Sequence, residues 1–122
     1  MALGHVSVII PAHNEEDWIM PVLIAANQAK KEGLVHDVIV ADDGSIDGTA
    51  KIAGDAGAKV VSIAHGGKGI AFLAGLKKAK EYGAETIVML DADIKLEPRH
   101  IRFMLEELEK PLEGGRQCEM AI

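Results

Sequence analysis

The chain is poor in aromatics, has one cysteine, has no long apolar run and has no excess of positive charge. Aromatic residues make up 3% of its 122 residues, so an aliphatic core of Val, Ile, Leu and Ala is expected. The single cysteine, Cys118, excludes a disulfide framework or a zinc site within one chain. It points to a reducing compartment, and the residue itself is read as inert. No apolar run approaches the roughly 20 residues that span a bilayer, and the N-terminus enters a strand without a signal-peptide pattern. A cytoplasmic location is expected, with any membrane association arising through a partner. Thirteen basic against nineteen acidic residues leave a net charge of -6. That balance argues against nucleic acid and against a membrane surface, since both require a basic field. An anionic small molecule remains open, because it needs only one local cationic spot.

What is present is apolar and regular. Hydrophobic residues make up 48% of the chain, ample for the core of one domain spanning 1–122. The first strand is His5 to Ile10, closed by Pro11, which has no N–H to give. Glu15 to Ile19 form a lead-in turn. A helix then begins near Met20, because Pro21 suits only a first turn, and Gly33 ends it. Asp37 to Ala41 form the second strand. Asp47 or Ser45 caps a second helix over Thr49 to Ala56, with Ile52, Ala53 and Ala56 inward, and Gly57 stops it. Lys59 to Ile63 form the third strand. A third helix is predicted from about Ile70 to Tyr82, with Ile70, Leu73, Leu76 and Ala79 packing inward. Trp18 is read as a packing residue.

The fourth strand, from Thr86 to Leu90, runs straight into Asp91-Ala92-Asp93. Pro98 opens a fourth helix in which Ile101, Met104, Leu105 and Leu108 make one apolar stripe. Residues 111–122 show no pattern and are read as a loose or truncated tail. This βαβαβαβα order predicts a parallel, doubly wound sheet with helices on both faces.

In such a sheet the carboxyl ends of the strands share one edge, where ligands bind. His13, Asn14, Glu15 and Glu16 follow the first strand; Asp42, Asp43 and Ser45 follow the second. His65 and Lys68 lie among glycines after the third strand, and Asp91 and Asp93 follow the fourth. The opposite edge carries mainly helix-ending glycines. Each loop alone also reads as an ordinary turn, cap or surface loop. Together they describe a pocket for a metal-bound nucleotide diphosphate. Two close carboxylates repel unless a cation joins them, and a hard divalent ion is the simplest. Glycines and a lysine ahead of a helix suit a phosphate. Neither a Walker loop nor a GxGxxG after the first strand is present.

These motifs, in this order, resemble the family 2 glycosyltransferases. The matching stretches are Val8 to Glu16, Val40 to Thr49, Gly67-Lys68-Gly69 and Asp91-Ala92-Asp93, within about residues 5–105. Polyprenyl-phosphate sugar transferases and the glucosyl- and mannosyl-phosphoglycerate synthases are the most similar in flavour. The resemblance implies a GT-A fold: a Rossmann-like three-layer α/β/α arrangement with a mainly parallel sheet in the order 3-2-1-4. It implies a UDP- or GDP-linked nucleotide-diphospho-sugar as partner and Mg2+ or Mn2+ as cofactor. Asp93, with Asp91, is then the metal ligand, and Asp91 lies near the ribose or sugar. Asp43 hydrogen-bonds the base, flanked by Ala41. Pro11, Ala12, His13 and Glu15 pack on base and ribose, and His13 stands where many members have Tyr. Lys68 neutralises the diphosphate, and Ala92 completes the nucleotide-sugar set.

The matching region is the nucleotide-binding half of such an enzyme. The family's longer catalytic domains add an acceptor site and, in inverting members, a catalytic base, for which this chain offers no candidate. The acceptor is left open between polyprenyl phosphate and phosphoglycerate. A non-catalytic sugar-nucleotide-binding module is the alternative. A haloacid-dehalogenase-type phosphatase fits poorly, since its nucleophile lies on the first strand, and a nucleotidyltransferase lacks its basic glycine-rich first loop. An uncovered sheet edge predicts homo-oligomers through the 85–122 region.

Overall fold

Strands and helices alternate four times along residues 3–110, the part of the chain that the computed structural model describes. They are β1 (Val6–Ala12), α1 (Ile19–Lys31), β2 (Asp37–Asp43), α2 (Thr49–Asp55), β3 (Lys59–Ile63), α3 (Lys68–Glu81), β4 (Thr86–Met89) and α4 (Pro98–Glu109). The strands form one parallel sheet in the order β3-β2-β1-β4, as expected. Ile9 faces Met89 of β4, and Ile10 faces Val40 of β2. The chain steps from β1 outward to β3, and α3 then carries it back to β4 on the other side of β1. The crevice between the ends of β1 and β4 is therefore the switch point where open parallel sheets bind ligands.

Because β1 is central and covered on both faces, every residue from Val6 to Ala12 is buried. Val6, Val8, Ile10 and Ala12 point to the larger core, where they meet Val22, Leu23 and Ala26 of α1 and Ile101, Leu105 and Leu108 of α4. Ile9 points the other way, to a smaller core under α3 with Ile39, Ala41, Ala71 and Ala79. The α4 stripe is buried as its spacing predicts.

On the α3 side two expectations are overturned. Ile70 and Leu73 do not pack inward; they are 53% and 57% exposed. The inner face is Ala71, Gly75 and Ala79. A Cβ on Gly75 would stand 2.6 Å from Ile9 Cγ2, so small residues let this helix lie close on the sheet. The helix also starts at Lys68, two residues earlier than expected. Trp18 is likewise 55% exposed, not packed.

At the opposite edge Gly33, Gly57 and Gly83 adopt φ of 79°, 90° and 86°, and each closes its helix with a paired C-terminal motif. Leu34 N–H bonds Ala29 O, Ala58 N–H bonds Ala53 O, and Ala84 N–H bonds Ala79 O, each at 3.0 Å. No helix among the described residues is long and apolar enough to cross a membrane. The tail expected at 111–122 lies outside the described residues.

Candidate functional site

The loops after β1 and β2 are stitched together by their own motif residues. Asn14 sits at φ 51°, the one non-glycine at positive φ among the described residues. Its N–H donates to Ser45 Oγ at 2.9 Å, and its Oδ1 accepts the Ile46 N–H at 2.9 Å. Glu15 N–H donates to Thr49 Oγ1 at 2.8 Å. Glu16 accepts the Gly48 N–H at 2.7 Å and donates its own N–H to Asp47 at 3.3 Å. Of the two proposed caps for α2, Asp47 is the one that accepts the Thr49 N–H, at 3.0 Å; Ser45 serves Asn14 instead.

β2 continues two residues past its expected end, through Asp42 and Asp43. Both are buried, and both are satisfied. Asp42 accepts from Ser45 N–H at 3.2 Å and from Ser62 Oγ at 3.3 Å. The Asp43 carboxylate takes the Gly66 N–H at 2.8 Å and the Gly67 N–H at 3.0 Å, with His65 Nδ1 2.9 Å away. The Gly66 N–H does most to hold the Asp43 carboxyl below its ordinary value of 3.8; burial opposes it, and Gly67 and His65 reinforce it. Asp43 thus pins the loop after β3 to the end of β2.

That pinning sets where α3 begins, and Lys68, its first residue, forms an ion pair with Asp91. Asp93, one residue beyond Ala92, is exposed. Glu15 stands near this pair. Burial raises its carboxyl above 4.5, and the charges of Asp93, Asp47 and Asp91 raise it further against the pull of His13. Glu15 thus feels the charges of Asp91 and Asp93, and Asp91 pairs with the one lysine, Lys68. Oxygen donors of this kind suit Mg2+ or Mn2+. Pro11, Ala12, Ala41 and Ala92 are buried alongside.

Of the residues singled out in the sequence, Lys68 pairs with Asp91, and His13 meets Asp43 at the end of β2. His65, which the sequence places on the ligand edge without a role, stacks its ring on His13 with centroids 4.4 Å apart. With His13 and Asp43 it forms the one compact three-residue set of metal-ligand type among the described residues. Asn14 and Glu16 stand on the same edge without a role in the sequence; the structure shows them locking the first two loops together.

Residues 7–115 match the model of Glycosyl transferase family 2. The chain belongs to this family. Among curated relatives, the undecaprenyl-phosphate 4-deoxy-4-formamido-L-arabinose transferase of Pseudomonas fluorescens is 32% identical over 114 residues, which cover 86% of this chain and 32% of the relative. Glycosyltransferase AglJ of Haloferax volcanii is 35% identical over 120 residues, covering 94% of this chain and 37% of the relative. A solved glucosyl-3-phosphoglycerate synthase from Mycobacterium tuberculosis, in complex with Mn2+, UDP and glucosyl-3-phosphoglycerate, superimposes with a TM-score of 0.75 at 32% identity. The match covers 85% of this chain and 39% of that one. The fold is that of the GT-A glycosyltransferases. The chain spans about a third of the length of the curated relatives it matches.

Proposed function

We propose that this chain is the nucleotide-diphospho-sugar-binding half of a metal-dependent family 2 glycosyltransferase. The observation that carries the reading is at the switch point. Lys68, the first residue of α3, reaches Asp91, from the loop after β4, while Glu15 feels the charge of Asp93 and neither of these two acids has an ion pair among the described residues. This is a place with an excess of negative charge and one exposed cation at its rim. A divalent ion held by Asp93 and Asp91 relieves the first, and a diphosphate draws on both the ion and Lys68.

In this reading the residues divide the ligand among them. Asp93 and Asp91 hold the ion. Charge neutralisation on the departing diphosphate oxygen is what Mg2+ or Mn2+ supplies there. Lys68 exchanges its contact with Asp91 for a diphosphate oxygen. His13 lies flat beside the base, and Asp43 accepts an N–H from the base edge, which takes over the contact now made by His65. Pro11, Ala12, Ala41 and Ala92 supply buried backbone on which base and ribose rest, and Glu15 borders the ribose.

Sugar transfer is proposed for the whole protein and nucleotide-sugar binding for this chain. The relatives bear on the acceptor: one is named for undecaprenyl phosphate, and another was solved with a phosphoglycerate product. A phosphate-bearing acceptor, polyprenyl phosphate or phosphoglycerate, is the proposal that follows. A cytoplasmic location is proposed with it.

Isothermal titration with UDP-glucose, GDP-mannose and an adenine-nucleotide control, each with and without Mn2+, tests the reading. Binding of a uridine or guanosine sugar nucleotide that strengthens at least about tenfold with Mn2+ is expected. Absence of binding to every sugar nucleotide would sink it.

A further inference from the structure

Within the chain itself, the His65 ring makes the two contacts that the proposed function gives to the nucleotide base. It stacks on His13 with centroids 4.4 Å apart and ring planes inclined by 27°. Its Nδ1 stands 2.9 Å from Asp43 Oδ2. A carboxylate only accepts, so this nitrogen carries the proton and donates it. We infer that His65 is a built-in stand-in for the base: it fills the base subsite of the free chain and swings out when a sugar nucleotide is seated. The inference rests on the assignment of His13 and Asp43 to the base, and it adds a competitor to that assignment.

The two occupants exclude each other. A flat ring slipped between His13 and His65 would need them about 7–8 Å apart, the depth of two van der Waals contacts, and their centroids are 4.4 Å apart. The Asp43 carboxylate is equally full. Oδ1 takes the Gly66 N–H at 2.8 Å, and Oδ2 takes the Gly67 N–H at 3.0 Å beside the His65 ring. The two amides hold the loop that leads into α3. The ring holds little else: its Nδ1 is 3.3 Å from the Asp43 carbonyl oxygen, which His13 Nδ1 already serves at 2.7 Å. His65 is thus the partner that Asp43 can give up without releasing α3. The backbone stays in place, because it lies close on the end of β2; a Cβ on Gly44 would stand 2.8 Å from His65 N. The side chain is 63% exposed, so rotation about its first torsion carries the ring into solvent. Exposed rotamers exchange in ps–ns, so the contact lowers affinity and does not slow binding. The apparent affinity is the intrinsic one reduced by the fraction of chains with the ring out.

The test is titration of UDP-glucose and GDP-mannose, in Mn2+, into wild type and His65→Ala, with circular dichroism to check the fold. A second measurement needs no variant: NMR contacts between the His13 and His65 ring protons of wild type, before and after saturation with the nucleotide that binds. Binding at least about threefold tighter by His65→Ala is expected, with ring-to-ring contacts present in the free chain and lost in the bound one. Equal or weaker binding by the variant, or rings still in contact in the bound wild type, would overturn the inference and leave the sugar-nucleotide reading standing. Absence of binding by both proteins would overturn that reading, and the inference with it.

Discussion

The Asp43 carboxylate accepts the Gly67 N–H at 3.0 Å, joining the end of β2 to the residue that precedes α3. Gly67 holds φ at 102°, a value that side chains rarely adopt, so the loop turns sharply there and delivers Lys68 to Asp91. The bond between a buried acid and a backbone amide thus decides where the cation of the site stands.

Asp43→Asn tests that link through pH. The folded carboxyl lies below its ordinary 3.8, so its stabilisation is fully present above that value and is lost as pH falls through the folded value. Urea unfolding followed from pH 6 downward should show wild type losing stability in acid. The Asn variant, which puts an NH2 group against a backbone N–H, should be less stable at pH 6 and should show a flatter acid limb. Parallel pH profiles for the two would contradict the assignment.

Asn14 carries both a left-handed backbone and the bond to Ile46. Asn14→Ala should cost about 1–2 kcal/mol in chemical denaturation. Asn14→Gly keeps the backbone conformation and loses only the side-chain bond, so it should be the more stable of the two. The reverse order would mean that the conformation is not what Asn14 supplies.

Gly75→Ala places a methyl 2.6 Å from Ile9 Cγ2. Overpacking of this kind costs about 1–3 kcal/mol, more than the helix propensity gained, at most about 1 kcal/mol. The variant should therefore unfold at lower urea. A stabilised variant would show that α3 does not depend on its small-residue face.

Lys68→Met removes the cation at the rim of the site. Its ion pair with Asp91 is half exposed, and such pairs contribute about 0–1 kcal/mol, so thermal stability should hardly change. Affinity for a sugar nucleotide should fall about tenfold, the loss expected for one charge-assisted hydrogen bond. Unaltered affinity would remove Lys68 from the diphosphate site.

Much of this was legible because β1, β2 and α4 obey strong periodic rules. Val8-Ile9-Ile10 admits little but a doubly buried strand, and the Ile101, Met104, Leu105 and Leu108 stripe admits little but one buried helix face. α3 was misread for a physical reason. Apolar spacing gives weight to Ile70 and Leu73, whereas the sheet accepts only Ala71, Gly75 and Ala79 at that distance. The end of β2 was placed early because acids are poor strand formers; here Asp42 and Asp43 find buried donors that the local sequence does not announce. His65 is placed on the ligand edge by the sequence, but its stacking on His13 carries no signal there, since it exists only once β1 and β3 lie in one sheet. The carboxylates after β4 were visible because they end a strand at the switch point.

Asp93 and its neighbours are proposed to bind a sugar nucleotide through a metal ion. Wild type and Asp93→Ala titrated side by side with UDP- and GDP-sugars in Mn2+ test it most directly, with circular dichroism confirming both folds. The expected result is Mn2+-dependent binding by wild type and loss of that dependence, with at least about a tenfold fall in affinity, in the exposed-residue variant. Equal, Mn2+-responsive affinity in the two proteins would contradict the claim.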